Sequence, residues 1–181
     1  MKLFRLTAVT SVVLTAALFL ASCEKEAEEK KVLNYEKKGI ILSGAQVTPV
    51  VSASTALGSM DVSYSKETKL LTYTIMWSGL TDSVSAIRIH GLAPTGYVAP
   101  ATTIYPNGIV QQVVASSGGV YAQKTSGKFT YAKSGKVTAT LLADGVYLRE
   151  NDILNGMLYV AVTGNNFANP YGEIRGQIVF Q

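Results

Sequence analysis

Residues 156–181 constrain the fold more than any other stretch, because their side chains alternate with the period of two that a β-strand requires. One strand is predicted over 157–163, where Leu158, Val160 and Val162 share a face. A turn segment rich in Gly and Asn follows, and a second strand is predicted at 173–180. The second strand has an apolar face and a polar face, the polar one formed by Glu173, Arg175 and Gln177. The stretch is therefore predicted to be a β-hairpin.

The upstream sequence repeats this alternation between short turns, and its apolar residues almost never recur with the period of an α-helix. Further strands are predicted at 40–47, 57–64, 69–77, 84–90, 109–115, 121–124, 128–131 and 136–142, and one helical turn at 150–155. The run at 69–77 is the longest, with Leu71, Tyr73, Ile75 and Trp77 on one side, and is predicted to be a central strand. Short strands without helical crossovers predict an all-β fold, an antiparallel Greek-key β-sandwich or barrel of eight or nine strands. The alternation further suggests two packed sheets, each with one solvated face.

Three segments, taken in order, resemble a known family. They are LSGAQVTP at 42–49, AIRIHG at 86–91 and NPYGEIRGQI at 169–178. Together they are similar to the CHRD domain, the module repeated in chordin and found singly in many bacterial secreted proteins. The resemblance covers about residues 40–181, and it implies a CHRD-like β domain at 39–181 whose outline is similar to that of copper/zinc superoxide dismutases.

The first 38 residues are predicted to lie outside the domain. Residues 1–22 have a basic start, an apolar stretch too short to span a bilayer, and small residues before Cys23, which together resemble a lipoprotein signal peptide with Cys23 as the lipid attachment site. Residues 23–38 are charged and are predicted to be a flexible tether. The acidic residues after Cys23 resemble the surface-export signal of Bacteroidota lipoproteins, with a plain solvated linker as the alternative. The predicted location is the outer membrane, anchored by lipid, on its periplasmic or cell-surface face.

The charge of the chain excludes a nucleic-acid partner. The formal net charge is +4, but two of the positive charges, Lys2 and Arg5, belong to the predicted signal peptide. From residue 40 onward the charged residues are scattered without a basic cluster.

A metal site or a catalytic centre has little support in the sequence. The chain has one histidine, His90. The family's central segment carries two histidines on one strand face, and a third follows the tyrosine-containing strand. Here Arg88, His90 and Thr163 occupy these positions, so no cofactor and no catalytic residue is predicted, and His90 is only a weak metal candidate. The alternative for His90 is a half-buried structural residue.

Two sets of side chains are candidates for binding. Arg88 and His90 share one strand face, and Glu173 and Arg175 share another, so these four residues form either a polar ligand pocket or a structural salt-bridge cluster. The second set is aromatic: Tyr97, Tyr105 and Tyr171, of which the first two lie in a long loop with no strand to pack against. The alternative is that these tyrosines pack at the rim of the core.

The predicted function is a lipid-anchored cell-envelope protein whose CHRD-like domain is a non-catalytic binding or adhesion module. Its partners are the membrane, through the lipid, and an extracellular protein or glycan. The binding role is implied by the resemblance. Two other classes stay open: a metal-binding or superoxide-dismutase-like enzyme, and a structural envelope protein.

Overall fold

The computed structural model describes residues 33–115 and 132–180. Cys23, the predicted signal peptide, most of the predicted tether, and the predicted strands at 121–124 and 128–131 lie outside the described residues. No helix in the described ranges is long and apolar enough to cross a membrane.

Eight strands form one continuous sheet. They are β1 (Asn34–Ser43), β2 (Leu57–Ser65), β3 (Leu70–Ser78), β4 (Val84–His90), β5 (Ile109–Ala115), β6 (Gly135–Leu142), β7 (Tyr159–Gly164) and β8 (Ile174–Gln177). The strand order is β5-β4-β7-β8-β1-β2-β3-β6, and every neighbouring pair is antiparallel. A short helix, α1 (Glu150–Leu154), precedes β7. The predicted antiparallel all-β fold is confirmed in its barrel form, and the predicted pair of separate sheets is wrong.

The core follows from the alternation of β2 and β3. The side chains predicted to share one face of β3 are all buried, and so are Met60, Val62 and Tyr64 on β2. Each such side chain contributes about 1.5–3 kcal/mol when it is removed from water. β3 pairs with β2 on one side and β6 on the other, which confirms its predicted central place.

The two outermost strands of the order are joined by a buried side chain. Gln111 on β5 accepts a hydrogen bond from the Tyr73 hydroxyl at 2.7 Å, and its amide donates to the backbone carbonyl of Thr140 on β6 at 2.9 Å. These contacts bring β5 and β6 together, so the sheet curls into a nearly closed barrel.

β1 begins earlier than the sequence indicated. Its first five residues belong to the charged stretch predicted as a tether, yet they pair with β2 from Asn34↔Ser65 onward. The ring of Tyr35 packs edge-on against Phe180, 6.0 Å between centroids. A single aromatic contact and backbone pairing therefore extend the strand into residues whose charges face solvent.

The outer face of β7 and β8 is covered rather than solvated. Residues 91–108, hereafter the covering segment, run across it and are closed by a backbone hydrogen bond from Gly91 to Gly108 at 3.0 Å. Ala93 and Ala99 of this segment pack in a small cluster with Tyr159 and Ala161 of β7. Arg175 and Gln177 of the polar face predicted at 173–177 are consequently buried, which corrects the expectation of a solvated face.

The covering segment needs a glycine where it returns to the sheet. Gly108 has φ +66°, a region that favours glycine, and a Cβ at this position would lie 2.7 Å from both the Cβ and the carbonyl oxygen of Ala99. The preceding Asn107 also has a positive φ of 57°. The pair Asn-Gly thus allows the segment to turn tightly into β5.

Candidate functional site

The site lies on the outer face of three neighbouring strands. In the register of β4, β7 and β8, His90 lies opposite Tyr159, which lies opposite Gln177. One step along, Arg88 lies opposite Ala161, which lies opposite Arg175. Side chains at paired positions share a face, so the alternation of each strand collects two arginines, a histidine, a tyrosine and a glutamine in one place.

Tyr159 holds the centre of this cluster. The His90 ring is stacked on it with 5.0 Å between centroids and 7° between planes. The Arg175 guanidinium carbon lies 3.5 Å from the centroid of the same ring, a cation–π contact. The Tyr159 hydroxyl accepts a hydrogen bond from the backbone N–H of Ala99 at 3.2 Å, so this side chain also binds the covering segment.

Arg175 and Gln177 are used to fasten the covering segment. Arg175 is 2% exposed, and its Nη2 donates to the Tyr97 carbonyl at 2.8 Å and to Gln177 Oε1 at 3.1 Å. The Gln177 amide donates to the carbonyls of Ala93 at 2.9 Å and Gly156 at 2.6 Å. These bonds account for the burial of two polar residues that would otherwise be costly to remove from water.

A pocket of about 430 Å³ opens beside this cluster. β4 supplies Arg88 and His90, β7 supplies Tyr159, and Asn107 and Tyr171 come from the covering segment and from the turn between β7 and β8. We call it the Arg88 pocket. It brings together two residues of the polar set predicted from the sequence and one of the three tyrosines.

Two nitrogens at this pocket have no hydrogen-bond partner among the described residues. Arg88 Nε and His90 Nδ1 are buried and form no hydrogen bond with any described residue. Arg88 also forms no ion pair within the part of the chain that the structure describes. A guanidinium is a permanent cation with a planar set of donors, so the pocket presents a positive charge and unused hydrogen-bonding capacity.

The electrostatics of the pocket keep His90 neutral. Burial, together with the positive charges of Arg88 and Arg175, lowers its pKa to about 4, while hydrogen bonding to the backbone at Gly108 and Asn107 acts in the opposite direction. Burial also lowers the pKa values of both arginines, although a guanidinium stays protonated at any physiological pH. The site is therefore a positive pocket with a neutral imidazole.

Glu173 lies apart from the pocket. Its Oε1 accepts hydrogen bonds from the Ser54 hydroxyl at 2.8 Å and from the backbone N–H and hydroxyl of Thr81 at 2.6 and 2.8 Å. Its Oε2 is buried without a hydrogen-bond partner among the described residues. Neither Glu173 nor Arg175 forms an ion pair with a described residue, so the hypothesis of a salt-bridge cluster is wrong for this pair. Glu173 instead ties two loops to β8.

The three tyrosines predicted as contacts have different positions. Tyr171 lines the Arg88 pocket and is 40% exposed, and Tyr97 is 67% exposed on the outside of the covering segment. Tyr105 is half-buried and faces elsewhere: burial, followed by the nearby charges of Asp144 and Asp152, raises its pKa. Only Tyr171 is a wall of the pocket.

Sequence reasoning missed Tyr159 and Asn107 as site residues. Tyr159 carried a signal, because it is the aromatic member of the mixed face of β7, opposite a wholly aliphatic face. Asn107 lies within the predicted long loop, and its place in the pocket depends on contacts between distant segments.

In residues 33–115 and 132–180, no group of three His, Cys, Asp or Glu side chains converges on a point where a metal ion would bind. The position of the family's third histidine, Thr163, lies opposite Ala86 on the same face of the sheet as Arg88. The immediate charged neighbours of His90 are thus two cations, an arrangement that opposes a metal cation.

Comparison with protein families supplies the identity of the fold. The model of the CHRD domain family matches residues 39–178, which confirms the resemblance inferred from the three motifs. Comparison with the curated proteins and with the solved structures gives no match. Because the match covers most of the 181 residues, the chain belongs to the CHRD domain family.

Proposed function

We propose that this protein is a lipid-anchored protein of the outer membrane, whose CHRD domain is a non-catalytic binding module for an extracellular protein or glycan. The Arg88 pocket and the surface around its mouth are the recognition site. The observation that carries the proposal is the pocket itself, a concave site of about 430 Å³ that combines apolar walls with unpaired polar atoms.

The surface beside the pocket supports recognition of something larger than a free small molecule. Pro170 and Tyr171 also line a second, shallower hollow of about 380 Å³, together with Val50, Val51 and Phe167. Val50 and Val51 are exposed, as is Tyr97. Exposed tyrosines and aliphatic side chains beside a polar pocket are typical of contact surfaces.

The binding role is tested with the full chain in detergent, presented to an array of immobilised glycans and extracellular proteins. The variants Tyr171→Ala and Tyr97→Ala are expected to lose most of the binding of the wild-type chain. Tyr147→Ala is the matched control, because Tyr147 is 53% exposed and lines neither hollow. Equal binding by all four proteins, or none by the wild type, would remove this surface as the recognition site.

The anchor is tested by fractionation. Cys23→Ala is expected to release the protein from the membrane fraction, because the thiol that would carry the lipid is gone. Ser22→Ala keeps a small residue before Cys23 and should leave the protein in the outer membrane. Retention of Cys23→Ala in the membrane would refute the lipid anchor.

A further inference from the structure

We infer that the Arg88 pocket binds a carboxylate carried on a ligand about the size of one sugar, such as an acidic sugar unit of a glycan. The inference rests on the proposed function, since it names the chemistry that the same site recognises.

The first observation is an uncompensated positive charge. Arg88 is partly buried, its Nε has no hydrogen-bond partner, and it forms no ion pair with any described residue. A second cation, Arg175, is close enough to influence His90, but among the described residues it is hydrogen-bonded only to neutral groups, Tyr97 and Gln177. A charge removed from water costs free energy unless it is paired. An anion entering from solution would supply the missing partner of Arg88.

The second observation is the hydrogen-bonding chemistry of Arg88 and His90. The guanidinium is planar and pairs with a carboxylate through two parallel hydrogen bonds, which a compact ammonium group does not. His90 Nδ1 adds a second buried and unpartnered nitrogen on the same strand face. With the imidazole neutral and its other nitrogen hydrogen-bonded to the backbone at Gly108 and Asn107, Nδ1 is an acceptor. The site therefore combines a fixed charge, which draws an anion, with an acceptor for a hydroxyl group of the same ligand.

The third observation concerns size and walls. At about 430 Å³ the pocket lies in the lower part of the usual range for small-molecule sites, ~300–1,000 Å³. Beyond Arg88 the walls include Val98, Ile109 and Tyr171, which suit the apolar faces of a sugar ring more than a highly charged ligand. This favours one carboxylate on a larger, mainly uncharged body over inorganic phosphate.

The test is isothermal titration calorimetry of the full chain in detergent, with glucuronate, glucose and inorganic phosphate as probes. The wild-type chain should bind glucuronate saturably, and glucose and phosphate much more weakly. Arg88→Ala should weaken glucuronate binding at least about tenfold, since hydrogen bonds to charged groups contribute about 1.5–3 kcal/mol. Arg88→Lys should restore only part of it.

Lys136→Ala is the control, because it also removes one positive charge but lies exposed on β6, outside the pocket. Thermal melts of each variant establish that it is folded. Binding of glucose or phosphate as tight as that of glucuronate, or no effect of Arg88→Ala on glucuronate binding, would overturn the inference.

The glycan and protein array separates this inference from the proposed function. Array binding that depends on Tyr171 but survives Arg88→Ala would refute the carboxylate and leave the recognition surface standing. Among the array glycans, binding confined to those with terminal uronic acids would assign the carboxylate to a glycan. Binding confined to acidic proteins would overturn the sugar assignment.

Discussion

Arg175 offers the sharpest test of how the covering segment is held. Replacing it with Ala removes the hydrogen bonds to the Tyr97 carbonyl at 2.8 Å and to Gln177 at 3.1 Å, and the cation–π contact with Tyr159. Each hydrogen bond to a charged group contributes about 1.5–3 kcal/mol, and a desolvated cation–π contact about 2 kcal/mol. Relief of the buried charge offsets several kcal/mol of this sum. We expect a net loss of about 3 kcal/mol in the free energy of unfolding.

For a domain of about 150 residues, this loss corresponds to a fall in Tm of roughly 6–12 °C. Urea and thermal unfolding at neutral pH, followed by circular dichroism, measure it. Arg175→Lys keeps the charge but not the planar contact and should lose about half as much. Arg88→Ala is the matched control, because it is the same residue type on the same face and its Nε has no hydrogen-bond partner among the described residues; it should lose less than about 1 kcal/mol, and relief of its unpaired charge acts to stabilise the variant. A loss under about 1 kcal/mol for Arg175→Ala, or an equal loss for Arg88→Ala, would refute this reasoning.

Three further perturbations test other parts of the structure. The pKa of His90 is lowered to about 4 in the folded protein, from about 6.5 in an unfolded chain, so the unfolded state binds the proton first as the pH falls. The free energy of unfolding should therefore decrease as the pH drops from about 6.5 to about 4. Urea titrations of His90→Gln should lack that part of the decrease. The lone imidazole can also be titrated directly by NMR. Gly108→Ala should lower the free energy of unfolding by about 2–5 kcal/mol, because it adds a steric clash to the strain of a positive φ. Gly96→Ala is the control: Gly96 has φ +85° but nothing within 4 Å of an added Cβ, so the loss should be about 1–2 kcal/mol. Thr81→Val removes one of three hydrogen bonds to the buried Glu173 carboxylate and should lower the free energy of unfolding by about 1.5–3 kcal/mol. The backbone amide of residue 81 should then exchange faster with solvent, and unchanged exchange would contradict the role of Glu173 in holding this loop.

The strands and the inner core were predictable because alternation is a local property. β3 was placed within one residue at each end, and its buried face of Leu71, Tyr73, Ile75 and Trp77 follows directly from the period of two. Strand order was not predictable in this way. The pairing of β4 with β7 and of β8 with β1 depends on crossovers between segments far apart in the sequence.

The candidate site was predictable in its residue types but not in its contacts. Arg88 and His90 were selected because alternation places them on one strand face, and Arg175 because it shares a face with Glu173 on another strand; the register aligns the two faces. Alternation alone assigns that face to solvent, so it gives no sign that the covering segment buries Arg175 and Gln177. It also cannot tell an ion pair from hydrogen bonds to neutral groups, which is why Glu173 was grouped with residues it does not contact.

The polar side chains on the outer face of β4, β7 and β8 fall into two groups with different roles. Arg175 and Gln177 donate hydrogen bonds to carbonyls of the covering segment, Arg175 also to Gln177 and Gln177 also to Gly156, and so hold that segment in place. Arg88 and His90 lie at its border, and each has a buried nitrogen, Arg88 Nε and His90 Nδ1, without a partner among the described residues. By excluding water, the covering segment lowers the local dielectric, which strengthens any interaction between Arg88 and an anion. Ligand binding in the pocket therefore depends on the position of the covering segment. Gly108→Ala, which displaces the segment, should weaken glucuronate binding even though Gly108 has no side chain to contact a ligand.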